Sequence, residues 1–279
     1  MRASLYDRVA EETASIVIHR YSTSFGLASR LLGPGVRHHV ENIYDLVRVA
    51  DEIVDGGADI DTVSAARALN ELEAETENAM SQGFSSNLVV HAFALTARDV
   101  SFGTDLTAPF FESMRMDLTA TQHDQASFDT YVYGSAEVVG LMCLRAFLQD
   151  GNPDDYDRLT PGARALGAAF QKINFLRDLA ADFTTLGRSY FPGVDVGNFD
   201  EATKLRLLDD IDADLAVSAA VVPELPRSSR RAVALAQALF AELSRRLRAT
   251  PAQQLVNARV RVPNPVKARL ALAAAMGRA

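Results

Sequence analysis

A single cysteine, Cys143, stands in 279 residues. The chain therefore cannot close an internal disulfide, which suits a reducing cytoplasm. No stretch approaches the roughly 20 apolar residues that span a bilayer. The opening "MRASLYDRVAEETASIVIHRYS" has an amphipathic helix pattern instead of a signal peptide's apolar core and cleavage site. Positive charge is scarce: 28 Lys and Arg against 36 Asp and Glu give a formal net charge of −8. That balance argues against a nucleic-acid partner, and an anionic substrate would need metal ions or local arginines to offset the acidic field. No low-complexity tract, composition shift or long Pro/Gly/Ser linker divides the chain, so residues 1–279 read as one domain. The histidines at 19, 38, 39, 91 and 123 form no recognisable metal-ligand spacing and read as structural or surface residues. Strand-like alternation and regular repeats are both missing.

What is there is helical. Hydrophobic residues make up 48% of the chain, enough for a large core. They recur at three- and four-residue spacing through 4–20, 36–54, 62–80, 87–100, 106–121, 127–149, 162–184, 201–221, 228–248 and 265–276. Pro34 and Pro161 fall where helices begin, and 55–61 and 191–200 read as loops. The expectation is an all-α protein of about ten helices.

Two of these segments carry aspartates four residues apart. At 3.6 residues per turn, positions 0, +7 and +11 share one line to within roughly 20°. One such line holds Tyr44, Asp51 and Asp55, with Arg48 nearby; the other holds Gln171, Asp178 and Asp182, with Asn174 to one side. A solvated face is the ordinary fate of helical aspartates. Here, however, both helices are apolar around most of their circumference, so the stripes should face an interior cleft. Asp pairs at this spacing repel by a few tenths of a kcal/mol. Facing carboxylate stripes suit hard cations such as Mg²⁺, which prefer oxygen ligands and often bridge to substrate phosphates.

A set of motifs then resembles the squalene/phytoene synthases, which join two prenyl diphosphates head to head. They are "YSTSF" (21–25), "RVADEIVD" (48–55), "MRMDL" (114–118), "YVYGSAEVVGLM" (131–142), "QKINFLRDLAADF" (171–183), "GRSYFP" (187–192) and "ARVRVPNPVKARLAL" (258–272). Their order and approximate spacing span nearly the whole chain. The resemblance implies an isoprenoid-synthase helical bundle around a central hydrophobic cavity. It implies that Asp51 and Asp55, beside Glu52, and Asp178 and Asp182 bind Mg²⁺, with Mn²⁺ as the alternative ion. Ser22, Ser24, Arg48, Arg177, Arg188 and Tyr190 match positions lining the diphosphate site. Tyr131, Gln171 and Asn174 match positions near the reacting carbons.

Each match has a plainer reading beside it. Ser22 and Ser24 are suited to helix caps. Arg48 is placed to pair with Asp51 or Glu52 at a surface, Arg188 to cap a helix C-terminus, and Tyr131 and Tyr133 to serve as core aromatics. Two departures stand out: Ala181 where the family commonly has Glu, and Glu137 where it commonly has Gly. Glu137 is the only charged residue between Asp129 and Arg145, on a helix apolar on nearly every side. It should either pair with an arginine, reach water at a groove, or fill the tunnel and restrict the prenyl chain.

The implied activity is the formation of phytoene from two geranylgeranyl diphosphates. The runner-up is squalene or dehydrosqualene synthesis from farnesyl diphosphate, and a terpene cyclase or a non-catalytic relative ranks lower. No GxGxxG motif occurs, which argues against NADPH use. Insoluble tails and product imply peripheral membrane contact through an apolar surface near the cavity mouth.

Overall fold

The computed structural model describes residues 4–55, 60–152, 154–181 and 188–277, the side chains of Ala180 and Ala181 excepted. Asp182 lies outside the described residues. The described chain is helical, with one isolated parallel bridge between Gln122 and Ser189. The helices are α1 (Leu5–Tyr21), α2 (Phe25–Ser29), α3 (Pro34–Val54), α4 (Thr62–Gln82), α5 (Leu88–Asp99), α6 (Thr104–Thr119), α7 (Gln125–Val132), α8 (Val138–Phe147), α9 (Asp154–Ala181), α10 (Glu201–Val221), α11 (Arg227–Ala249), α12 (Ala252–Leu255) and α13 (Asn264–Ala275).

Their starts are written locally. Ser4 and Asp7 form a reciprocal capping box on α1. Asp61, Asp124 and Asp200 each accept the backbone N–H three residues on, and Asn87 the one two residues on. Such caps contribute about 1 kcal/mol apiece. Pro34 opens α3, as its position predicts. Pro161 does not open α9, which begins at Asp154. Asp154, Asp155 and Asp157 favour an earlier start at the positive end of the helix dipole, and the helix absorbs the hydrogen bond that proline cannot make.

Two large apolar clusters form the core. One gathers Phe128, Ile173, Leu176, Leu208, Ile211 and Phe240; the other gathers Ile43, Leu46, Leu69, Phe93, Phe110 and Met142. Helix α9 packs on α10 and α8, and α3 packs on α1, α5 and α8. The two aspartate stripes thereby face one cavity.

The segment predicted as one helix over 127–149 is broken by a π-turn, Tyr133–Glu137, between α7 and α8. The π-turn takes in one extra residue and resets which side chains face inward. Its cause is a close crossing with α6. A Cβ on Gly134 would lie 2.1 Å from the Pro109 carbonyl oxygen and 2.1 Å from Ser113 Oγ. Glu137 ends the turn, with 15% of its side chain exposed, and accepts a 2.6 Å hydrogen bond from Arg164 Nε. The Arg164 guanidinium lies 5.1 Å from the centre of the Tyr133 ring. Ser135, Ala136, Val139 and Gly140 line the cavity and Glu137 does not, which corrects the tunnel-filling expectation.

Gly134→Ala should therefore force the crossing apart. The expected cost is about 2 kcal/mol, read as a melting temperature lower by roughly 5 °C. An unchanged melting temperature would show that α6 and the π-turn can separate freely.

Candidate active site

The α3 stripe places Tyr44, Arg48, Asp51 and Asp55 on the wall of a cavity of about 860 Å³, and the α9 stripe places Gln171, Asn174, Arg177 and Asp178 opposite. Ser22, Ser24, Tyr131 and Tyr190 join the same wall. The interior is apolar, with Phe25, Val47, Val139, Cys143, Phe170 and Phe240 among its lining. Phe170 and Phe240 stack at 3.8 Å, and Phe25 sits 5.6 Å from each. Burial pushes the Cys143 thiol up to about 12, so it behaves as a small hydrophobe.

Polar groups gather where the stripes end. Arg188, with a side chain 9% exposed, donates to the Asp55 carboxylate at 3.0 Å and to the Tyr190 hydroxyl at 3.2 Å. It also donates to the carbonyl oxygens of Val54 (3.0 Å) and Asp117 (2.8 Å), in the last turns of α3 and α6. It does not line the cavity itself, and its capping and site-building roles coincide. The Asp117 carboxylate accepts from Tyr131 at 2.7 Å and from Tyr190 at 3.1 Å. Burial pushes Asp117 up to about 6 against the opposing pull of Arg188 and of the Tyr131 and Tyr190 hydroxyls. Burial likewise raises the Tyr131 phenol, with Asp117 adding to the shift. Asp51 is pushed up to about 7, first by burial; Arg48 opposes this, and Asp55 and Asp117 reinforce it.

Arg48 takes up its plainer partners, Glu52 and, at 3.7 Å, Asp51, while its guanidinium lies 4.7 Å from the centre of the Tyr21 ring. Ser22 Oγ accepts the Phe25 N–H at 3.0 Å and so caps α2, whereas Ser24 makes no side-chain cap bond. Asp178 lies among cations. It accepts from Arg177 and, 81 residues away, from Arg259. Arg261 and Lys267 line the same rim. Lys267 is held below its ordinary range by burial and by repulsion from Arg177 and Arg261, and it donates to Thr23 Oγ1 at 2.7 Å.

Asp117, Arg259, Arg261 and Lys267 were not singled out from the sequence, although all four stand inside the quoted motifs. The available signal for Asp117 is its place in "MRMDL", between Met116 and Leu118 in the last turn of α6. The carboxylate oxygens of Asp51 and Asp55, each beside one arginine, are of the kind that hard cations take as ligands. Among the described residues, the only group of three or more such side chains with ligand atoms within 4.8 Å of one another is His38, His39 and Asp99, away from the cavity. Both His39 ring nitrogens are already engaged there, by Thr96 and Gln149.

The Squalene/phytoene synthase family profile matches residues 18–265. The 15-cis-phytoene synthase of a Paracoccus species is 32% identical over 190 residues, covering 65% of this chain and 59% of its own length. The 4,4'-diapophytoene synthase of Staphylococcus haemolyticus is 24% identical over 201 residues, 71% of this chain and 66% of its own length. This chain thus spans under two thirds of either relative. The crystal structure of a dehydrosqualene synthase in complex with ligand has the same fold, with a TM-score of 0.82 over 97% of each chain at 20% identity.

The burial of Asp51 has a measurable consequence. Its carboxyl is raised from 3.8 to about 7 in the folded chain. Above pH 7 it is ionised in both folded and unfolded states, and the folded state carries the full penalty; below about pH 4 it is protonated in both and the penalty is gone. Metal-free Asp51→Asn should therefore be more heat-stable than wild type at pH 8, by about 1 kcal/mol after allowing for solvent screening. The gap should close by about pH 4. A variant less stable at pH 8 would contradict this.

Proposed function

Since the chain belongs to the squalene/phytoene synthase family, we propose that it joins two prenyl diphosphates head to head, using two geranylgeranyl diphosphates to make phytoene without a reductant. The observation that carries this reading is one long apolar cavity whose polar rim is acidic on α3 and basic around the end of α9. Such a site holds a charged head at the rim and a hydrocarbon tail inside. The 32% identity to a protein named 15-cis-phytoene synthase supports the longer substrate. Farnesyl diphosphate is the second reading, supported by the relative named 4,4'-diapophytoene synthase.

In this reading Asp51, Asp55, Asp178 and Asp182 hold Mg²⁺, with Mn²⁺ as a substitute. When bound, the metal supplies positive charge that stabilises the departing diphosphate. Ser22, Ser24, Arg48, Arg177 and Tyr190 orient the diphosphates, and Arg188 positions Asp55. One substrate loses its diphosphate to become an allylic cation; the double bond of the second attacks it, forming a new carbon–carbon bond, and loss of a proton closes the three-membered ring of a cyclopropylcarbinyl diphosphate. A second ionisation, rearrangement and proton loss give the linear product. Gln171, Asn174 and Tyr131 lie beside the reacting carbons, while Phe25, Phe170 and Phe240 offer ring faces to the cations. The dry wall keeps water from trapping them.

No helix of the described residues is long and apolar enough to cross a membrane. Peripheral contact is proposed through α13. Leu272 of α13 and Met276, just beyond its end, are 62% and 50% exposed, and Lys267 of the same helix lines the rim. Leu272→Asp with Met276→Asp should lower vesicle flotation several-fold; equal flotation would move the contact elsewhere.

The activity is tested by incubation with geranylgeranyl or farnesyl diphosphate, with and without NADPH, and identification of products by mass. The expected product is phytoene, from geranylgeranyl diphosphate and Mg²⁺ alone. Asp178→Asn should lower turnover at least about 100-fold with helical circular dichroism intact. Turnover of farnesyl diphosphate only would shift the substrate, and full activity in excess chelator would overturn the metal-dependent reading.

A further inference from the structure

Asp178 is fully engaged. Arg259 grips it through Nε to Oδ1 at 2.7 Å and Nη2 to Oδ2 at 3.2 Å. Arg177 grips it through Nε to Oδ1 at 3.0 Å and Nη2 to Oδ2 at 2.5 Å. A carboxylate offers about four lone-pair sites, and three hydrogen bonds and one ion-pair contact from the two guanidiniums occupy both oxygens of Asp178. The two grips differ in origin. Arg177 precedes Asp178 on α9, whereas Arg259 reaches over from the stretch between α12 and α13, with 51% of its side chain exposed. Around this one carboxylate the rim carries four cationic side chains: Arg177, Arg259, Arg261 and Lys267. Among the described residues this part of the rim thus carries more cationic side chains than carboxylates.

We propose that Arg259 is a latch that makes cation binding at Asp178 conditional on a diphosphate, an inference that rests on the proposed function above. A diphosphate is a stronger acceptor for guanidinium forks than a single carboxylate. Its arrival at the rim draws Arg259 and Arg177 off Asp178, and the freed carboxylate oxygens then become ligands. The coupling is reciprocal: what the anion does for the cation, the cation does for the anion. A divalent ion alone meets Asp51 and Asp55 but a closed Asp178. Arg259 here is a positioning residue, acting on the metal through Asp178.

The test is a double-mutant cycle read as Mn²⁺ affinity by electron paramagnetic resonance on the full chain. Without any anion, Asp178→Asn should leave Mn²⁺ affinity within about twofold of wild type, because the latched carboxylate takes no part. Arg259→Gln should tighten Mn²⁺ at least fivefold, and adding Asp178→Asn to it should erase that gain. In the presence of chelator, Arg259→Gln should bind inorganic pyrophosphate at least tenfold more weakly by calorimetry. If Asp178→Asn weakens Mn²⁺ equally with and without Arg259, Asp178 is open in the resting protein and the latch is overturned while the metal site stands. If no variant binds Mn²⁺, with or without pyrophosphate, the metal site and the latch fall together.

Discussion

The rim of the cavity hangs on one guanidinium. Arg188 satisfies the terminal carbonyls of α3 and α6, holds Asp55 from one side and reaches Tyr190 on the other. A lysine has no planar fork with which to reach these acceptors together. Breaking a buried pair of this kind costs on the order of 3–5 kcal/mol, because the partner is left charged and dry. Asp117 is that partner, 6% exposed and 3.6 Å away. Since Asp117 also receives Tyr131 and Tyr190, the orientation of both phenols is set by the same charge. Packing forms the cavity; this network fixes where its polar end lies.

A chain of net charge −8 thereby presents a locally basic surface around the end of α9. Among the described residues, Asp51, Asp55 and Asp117 face Arg48 and Arg188 on one side, while Arg177, Arg259, Arg261 and Lys267 stand with Asp178 on the other, so each side is left with unbalanced charge. Burial first raises Asp51 and lowers Lys267; Asp55 and Asp117 add to the one shift, Arg177 and Arg261 to the other. A metal–diphosphate pair carries both missing charges, positive toward the acids and negative toward the bases.

Much of this was legible in one dimension because helical geometry is short-range. The stripes through Asp51 and Asp178 follow from 3.6 residues per turn and apolar surroundings, and the all-α class follows from the same period. What escaped depends on partners distant in sequence. An arginine partner for Glu137 was among the expected outcomes, but that it is Arg164, 27 residues on, and that Asp178 meets Arg259, 81 residues on, no local pattern announces. The π-turn escaped because one extra residue barely disturbs apolar spacing, while its cause, the Pro109 backbone against Gly134, lies on another helix. Pro161 misled for the opposite reason: a strong local signal was overruled by the acidic turn ahead of it and by packing along α9.

The central claim is that the rim holds diphosphate heads and the apolar wall holds their tails. A crystal structure with Mg²⁺ and an unreactive geranylgeranyl thiodiphosphate tests it most directly. The expected density places the diphosphate between Asp51/Asp55 and Arg177/Lys267, with the tail running past Phe25, Phe170 and Phe240. A head group bound away from both aspartate stripes, or a tail lying outside the cavity, would contradict it.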